Sequence, residues 1–155
     1  MKLSIIALLT ILAPWSLMAP AMAYSPEDLE QLKQTGICAR CDLTGAPLSQ
    51  LNLSGANLRN ANLSQADLSQ TNLADADLTE ANLEVANLTS ATLTGANLKS
   101  ATLENANLSR AGLFATNLDG ANFKGATTTY ANFRGSRFRL TTSPSGLVTS
   151  DRRYW

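Results

Sequence analysis

Two cysteines three residues apart, Cys38 and Cys41, are the side chains of this sequence best placed by type and spacing to do chemistry. A C-x-x-C pair is either a redox-active dithiol or a structural bridge, and the surroundings of the sulfurs decide which. A reactive thiol needs a helix N-terminus or cationic neighbours that lower its pKa. Arg40 is the one cation between them, and no βαβ pattern surrounds the motif. In an oxidising compartment the pair should close into a disulfide, which for so small a loop stabilises by about 2 kcal/mol in the chain-entropy model. A four-ligand zinc site lacks its second pair. The chain has no histidine, which removes imidazole metal sites, Ser-His and Cys-His nucleophile pairs, and the commonest general base. The residues therefore predict no catalytic group, no metal site, no cofactor and no enzyme.

Charge narrows the function classes further. The 155 residues carry 12 basic and 12 acidic side chains, and a zero balance argues against a dedicated nucleic-acid binder. The charges are unevenly spread. Asp67, Asp75, Asp77, Glu80, Glu84 and Glu104 face a single base, Lys99, in the middle of the chain. Lys124, Arg134, Arg137, Arg139, Arg152 and Arg153 face a single acid, Asp151, towards the C-terminus. An electropositive end of this kind can steer an acidic partner or an anionic membrane surface, or simply keep a surface solvated.

The elements that must position these side chains begin after a targeting segment. Residues 1–23 hold Lys2, an apolar run from Leu3 to Ala13, the breakers Pro14 and Pro20, and Ala21-Met22-Ala23. That is the pattern of a secretory signal peptide cleaved after Ala23. The apolar run is too short and proline-interrupted for a membrane span. Residue 24 is Tyr rather than a lipoprotein Cys, and there is no twin-arginine pair, so general export is expected.

From Cys41 to Leu140 the chain reads as twenty consecutive pentapeptides. Leucine holds the third position from Leu43 through Leu118, followed by Phe123, Thr128, Phe133 and Phe138. The first position is alanine in fifteen units, and the second is Asn or Asp in fourteen. A period of five suits neither regular element. On an α-helix it spreads the leucines around the circumference, and on a flat strand it sends them to alternate faces. It works if each pentad is a short extended piece followed by a bend of about a right angle, so that four pentads close one coil around a common axis. Glycine ends six units, where unusual dihedrals are easiest.

Units such as A-N-L-S-Q, A-D-L-S-Q, A-N-L-T-S and A-N-L-K-S resemble those of the pentapeptide-repeat family, A-[DN]-L-x-x. The resemblance implies an all-β solenoid, a right-handed quadrilateral β-helix of about five coils. At roughly 4.8 Å between stacked strands the column would be about 24 Å long. The divisions expected are 1–23 signal peptide, 24–40 capping helix and link, 41–140 β-helix, and 141–155 C-terminal turn and tail. Over residues 25–36, Ser25 reads as an N-cap, Pro26 as the first helical position, and Gly36 as the stop. Leu29 and Leu32 share the face that should cover the first coil. In the tail, Ser143-Pro144-Ser145-Gly146 has turn chemistry, Leu147 and Val148 are expected to pack on the last coil, and Arg152 to Trp155 lie beyond.

A filled interior leaves no ligand cavity, so function must sit on the walls or the ends. Steps of twenty residues align Ser49, Ser69, Thr89, Ser109 and Thr129 in a row of hydroxyls, a surface for ordered water or an ordinary exposed row. They also align Ser54, Ala74, Thr94, Phe114 and Arg134. Phe114 with Arg134, near Tyr130, and the basic Arg137 and Arg139 are the candidate contacts for an unidentified protein partner. The whole resembles exported cyanobacterial members with a signal peptide and a C-x-x-C before the first coil. That implies a non-catalytic scaffold for protein–protein interaction in the periplasm or thylakoid lumen, with no membrane span after cleavage. The alternatives are the family's DNA-mimic branch, which binds type II topoisomerases, and a thiol-redox protein using Cys38 and Cys41.

Overall fold

The bend that ends each pentad sets the architecture. In the computed structural model, which describes residues 23–149, the fifth residue of each unit lies in the left-handed region, from Arg40 at φ 63° to Leu140 at φ 54°. The N–H of the next unit's first residue donates to the leucine carbonyl three residues back, as Ala61 does to Leu58 at 3.1 Å. A positive φ at the third place of such a turn is the type II signature. The six glycine-ended units adopt this geometry most easily. It recurs at Gln, Asn, Ser and even the β-branched Val85, φ 59°. The ladder over-determines these corners, so local strain is tolerated where free peptides would refuse it.

Between bends each unit contributes a single bridged residue rather than a regular strand. Every isolated bridge joins residues twenty apart in parallel, and the bridges fall into four rows. The first wall runs through Ile37, Asn57, Asp77, Asn97, Asn117 and Arg137, and the second through Asp42, Asn62, Asn82, Thr102, Asn122 and Thr142. The third runs through Pro47, Asp67, Asn87, Asn107 and Thr127, and the fourth through Asn52, Asn72, Thr92, Gly112 and Asn132. The bridged column thus reaches one unit beyond the expected 41–140 at each end, to Ile37 and Thr142.

Each inner-coil pentad has five backbone N–H groups, and four go to backbone carbonyls. Around the Asn57 unit, Asn57 donates to Gly36, Leu58 to Asp77, Asn60 to Thr79 and Ala61 to Leu58. The fifth, at the fourth position, is left over. At every unit with Asn or Asp in second place, that side chain's Oδ1 accepts it, at 3.0–3.3 Å. The preference for Asn or Asp is an Asx turn that completes the backbone hydrogen bonding.

Inside, Leu43 to Leu118 are all buried at 5% exposure or less, joined by the alanines and Phe123. Where a hydroxyl replaces alanine it reaches back to the coil before, Thr71 to the Leu48 carbonyl and Thr116 to that of Leu93, at 2.7 and 2.8 Å. Buried hydroxyls are thereby satisfied. Towards the C-terminal end Phe133 packs edge-on against Phe123 and tilted against Phe138, at 6.1 and 5.9 Å between centroids.

Helix α1, Pro26–Thr35, lies at the N-terminal end of the column. The Ser25 hydroxyl accepts the Asp28 N–H, Gly36 closes the helix at φ 67°, and Leu29 and Leu32 are buried in the core cluster. Asp28 Oδ2 accepts the Asp42 N–H at 2.7 Å, tying the helix to the first coil. At the other end, β1 (Thr141–Thr142) pairs antiparallel with β2 (Val148–Thr149). Leu147 and Val148, expected on the last coil, are instead 52% and 64% exposed. Their places are taken by Thr141 and Ser143, both fully buried, because Thr141 continues the hydroxyl-to-leucine pattern by donating to Leu118. Residues 1–22, within the expected signal peptide, and the tail residues Arg152 to Trp155 lie outside the described residues. Among the described residues no helix is long and apolar enough to cross a membrane.

Candidate functional site

The cysteines are joined. Cys38 and Cys41 form a disulfide with Cα atoms 5.3 Å apart, at 0% and 6% exposure. The Cys38 sulfur lies 3.1 Å from the Asp28 carbonyl oxygen, against the buried side of α1. Arg40 is exposed at its corner. This junction pins helix to coil and offers a reactive group no approach. Among the described residues, no group of three or more Cys, Asp or Glu is arranged to hold a metal ion.

The exterior is built by the second and fourth positions, so the Asx turns decide what each wall presents. Along the first wall Asn117 donates to Asn97 Oδ1 at 2.9 Å and Asn97 to Thr79 at 2.8 Å, and comparable steps join Asn87 to Asp67 and Asn72 to Asn52. The hydroxyl row belongs to this scaffold in part: Thr89 and Ser109 donate to their own Asn87 and Asn107 at 2.7 Å. Those hydroxyls are engaged in holding their corners and are not free to template water.

On the fourth wall two successive second positions, Thr92 and Gly112, break the pattern. The N–H groups of Thr94 and Phe114, one coil apart at the same corner, consequently find no acceptor among the described residues. Phe114 is 45% exposed and sits one coil from Arg134, whose carbonyl accepts the Ala115 N–H at 2.9 Å. Tyr130, 84% exposed, stands at the opposite rim of the same wall, one coil from Arg110, whose N–H donates to the Thr129 carbonyl at 2.9 Å. Arg110 was missed in the sequence, although the same step of twenty that aligns Phe114 with Arg134 sets it beside Tyr130. Arg110 and Arg134 make no ion pair among the described residues.

Arg137 and Arg139 belong elsewhere, on the first wall and the corner after it. Arg137 pairs with Asp119 at 2.6 Å, and the Arg139 N–H donates to the other Asp119 oxygen at 3.0 Å. Burial works against the Asp119 charge, but the Arg139 N–H and the Arg137 guanidinium outweigh it and hold the carboxyl below its usual range. The basic end is therefore partly neutralised from within. Arg139 also borders a surface groove of about 480 Å³ with Leu140, Val148 and Thr149. The candidate contacts thus divide. Phe114, Arg134 and Tyr130 share the fourth wall with Arg110, whereas Arg137 and Arg139 do not join them.

The acidic side chains do not merge into one column. Asp77 lies on the first wall, Asp75 and Glu80 flank that wall at its two corners, and Glu84 and Glu104 stack between the second and third walls. Asp77 is opposed by burial, yet Thr79 and Arg59, the latter at 3.1 Å, keep its carboxyl ionised below the ordinary value.

With this geometry in view, comparison with known proteins is informative. A family model described as pentapeptide repeat region matches residues 36–113, and one described as pentapeptide repeats matches 106–142. A pentapeptide repeat protein from the Arabidopsis thaliana thylakoid lumen superimposes with a TM-score of 0.58 at 32% identity, over 59% of this chain and 64% of that one. The chain therefore spans under two thirds of that relative's length. A pentapeptide repeat protein of the cyanobacterium Cyanothece is 30% identical over 76% of this chain and 95% of its own, with a TM-score of 0.45. QnrB1, a plasmid-mediated fluoroquinolone resistance protein, gives a TM-score of 0.59 at 19% identity over 64% of this chain and 55% of that one, a likeness of fold alone. No curated protein sequence matches the chain significantly. The fold these relatives share is the right-handed quadrilateral β-helix.

Proposed function

This chain belongs to the pentapeptide-repeat family, and on that premise we propose that it is an exported, non-catalytic scaffold that binds another protein through its outer surface. We read the scaffold as five coils with Pro26–Thr35 as the cover of one end. One observation carries the reading. The column of leucines from Leu43 to Leu118 fills the interior, so recognition has only the exterior to work with, and there exposed aromatic and arginine side chains share one wall. Aromatic and arginine side chains are the types enriched at protein interfaces.

Residues 1–23 support export to a periplasm or thylakoid lumen, a compartment in which the Cys38–Cys41 bridge would persist. The DNA-mimic alternative has less support, because the carboxylates scatter over several corners rather than forming a continuous stripe. The thiol-redox alternative lacks an accessible sulfur.

Affinity capture on the immobilised, processed protein from periplasmic or lumenal extract of its own host tests the scaffold reading. A retained protein that is released by soluble competitor is the expected outcome; no retained protein with an intact fold would refute it. Sequencing the N-terminus of the cellular protein tests export, with Tyr24 expected first.

A further inference from the structure

Four side chains on the fourth wall form a patch that its neighbours do not repeat. Arg110 and Tyr130 stack on one rim, Phe114 and Arg134 on the other, and Gly112 paves the floor between them. The rims lie four residues apart along the chain, at most about 13 Å, and adjacent coils stand roughly 4.8 Å apart. Both guanidiniums are without carboxylate partners among the described residues, whereas Arg59 and Arg137 are paired. Among the described residues Asp75 is the only acid on this wall or its corners, and its carboxylate lies over Gly95, one coil before Phe114 and two before Arg134. The backbone adds two donors, the Thr94 and Phe114 N–H groups, which lack the Asx acceptor that Asn57, Asp77, Asn97 and Asn117 supply along the first wall.

We propose that this half of the fourth wall binds an extended acidic segment of a partner protein, with a carboxylate against Arg134 and the Phe114 N–H and another against Arg110. This rests on the reading that the exterior binds a protein, and it names where and what. Charge complementarity selects an acidic occupant: two unpaired cations, two unused N–H donors, and no carboxylate on this wall in the two coils that carry the arginines. Charge-assisted bonds from guanidinium and N–H to carboxylate are the strong class of hydrogen bond. The glycine floor lets a flat backbone approach, and Tyr130 and Phe114 supply rigid contact area on either side. An extended chain crossing the wall presents a side chain to each rim about four residues apart.

The test is fluorescence anisotropy with the processed full-length protein and a labelled peptide of alternating glutamate and glycine, against its glutamine and lysine counterparts. Saturable, salt-sensitive binding of the glutamate peptide alone is expected. Arg110→Glu and Arg134→Glu should each weaken it by about tenfold or more, and Phe114→Ala by several-fold. Gly112→Asn, which refills the floor and supplies the missing acceptor for Phe114, should weaken binding while the melting temperature is kept or raised. Lys124→Glu, at another corner, should leave affinity within about twofold. Equal binding of all three peptides, insensitivity to the fourth-wall variants, or equal competition by duplex DNA or anionic phosphatidylglycerol vesicles would overturn the assignment. A dimer lost on Arg134→Glu would also overturn it, since the occupant would then be a second copy. If extract capture succeeds but is unchanged by Arg110→Glu and Arg134→Glu, the scaffold reading stands and this surface assignment falls.

Discussion

On the first wall, Asp77, Asn97 and Asn117 pass hydrogen bonds from coil to coil while each caps its own corner; on the fourth, the ladder that joins Asn72 to Asn52 stops, and Thr92 and Gly112 follow. The two walls share one interior, because Leu98 and Leu93 behind them are equally and completely buried. A repeat protein can thus keep its fold constant while freeing particular outer positions. The first wall spends its hydrogen bonds on joining coils, and the fourth, with spare donors, unpaired arginines and exposed aromatics, is the one proposed above for recognition.

The contrast can be broken at its root. Leu98→Ala and Leu93→Ala should each cost about 2–5 kcal/mol, a cavity in the same column. Chemical denaturation giving clearly different costs for the two would mean that the walls do not share a core. Next in size is the outer layer. Asn97→Ala removes the acceptor for the Lys99 N–H and for Asn117, and the donor to Thr79, so about 1–2 kcal/mol should be lost. Thr92→Ala on the other wall should stay within about 0.5 kcal/mol; equal losses would erase the distinction. Smaller still, and of opposite sign, Gly112→Asn should raise stability by about 0.5–1 kcal/mol, as the Phe114 N–H gains an acceptor and the unfolded chain loses freedom. A Cβ there meets nothing nearer than the Ala91 carbonyl oxygen at 4.0 Å.

The smallest effect is acid sensitivity confined to the first wall. Asp77 is held below its ordinary value in the fold, so its contribution is present above the unfolded value and is lost as pH falls through the folded one. Melting curves from pH 6 down to about pH 3 should show Asp77→Asn flattening the loss by under about 1 kcal/mol, given the solvent exposure of the Arg59 pair. No change in the slope would remove Asp77 from the account. The fourth wall, whose described acid is Asp75 alone, should show no such dependence.

Much of this was legible before any coordinates. The leucine period placed the interior side by side, Ser25, Pro26 and Gly36 marked the helix, and steps of twenty put Phe114 beside Arg134. The meaning of the second-position Asn or Asp was not, since nothing in the spelling A-N-L says that one N–H in five is left over. Nor was the fate of Arg137, which looked as free as Arg134 until stacking set it against Asp119. Leu147 and Val148 looked like core by composition, but the antiparallel turn back onto Thr141 and Thr142 leaves them outside.

The amino-acid order determined what repeats: a five-residue period of apolar and small residues can be buried together only by turning at every unit. What does not repeat was decided in three dimensions. Pairing across coils joins residues twenty apart, and whether an arginine is neutralised or a backbone donor satisfied depends on the coil above or below. A linear period says where a side chain points, but only the stacking says what it meets.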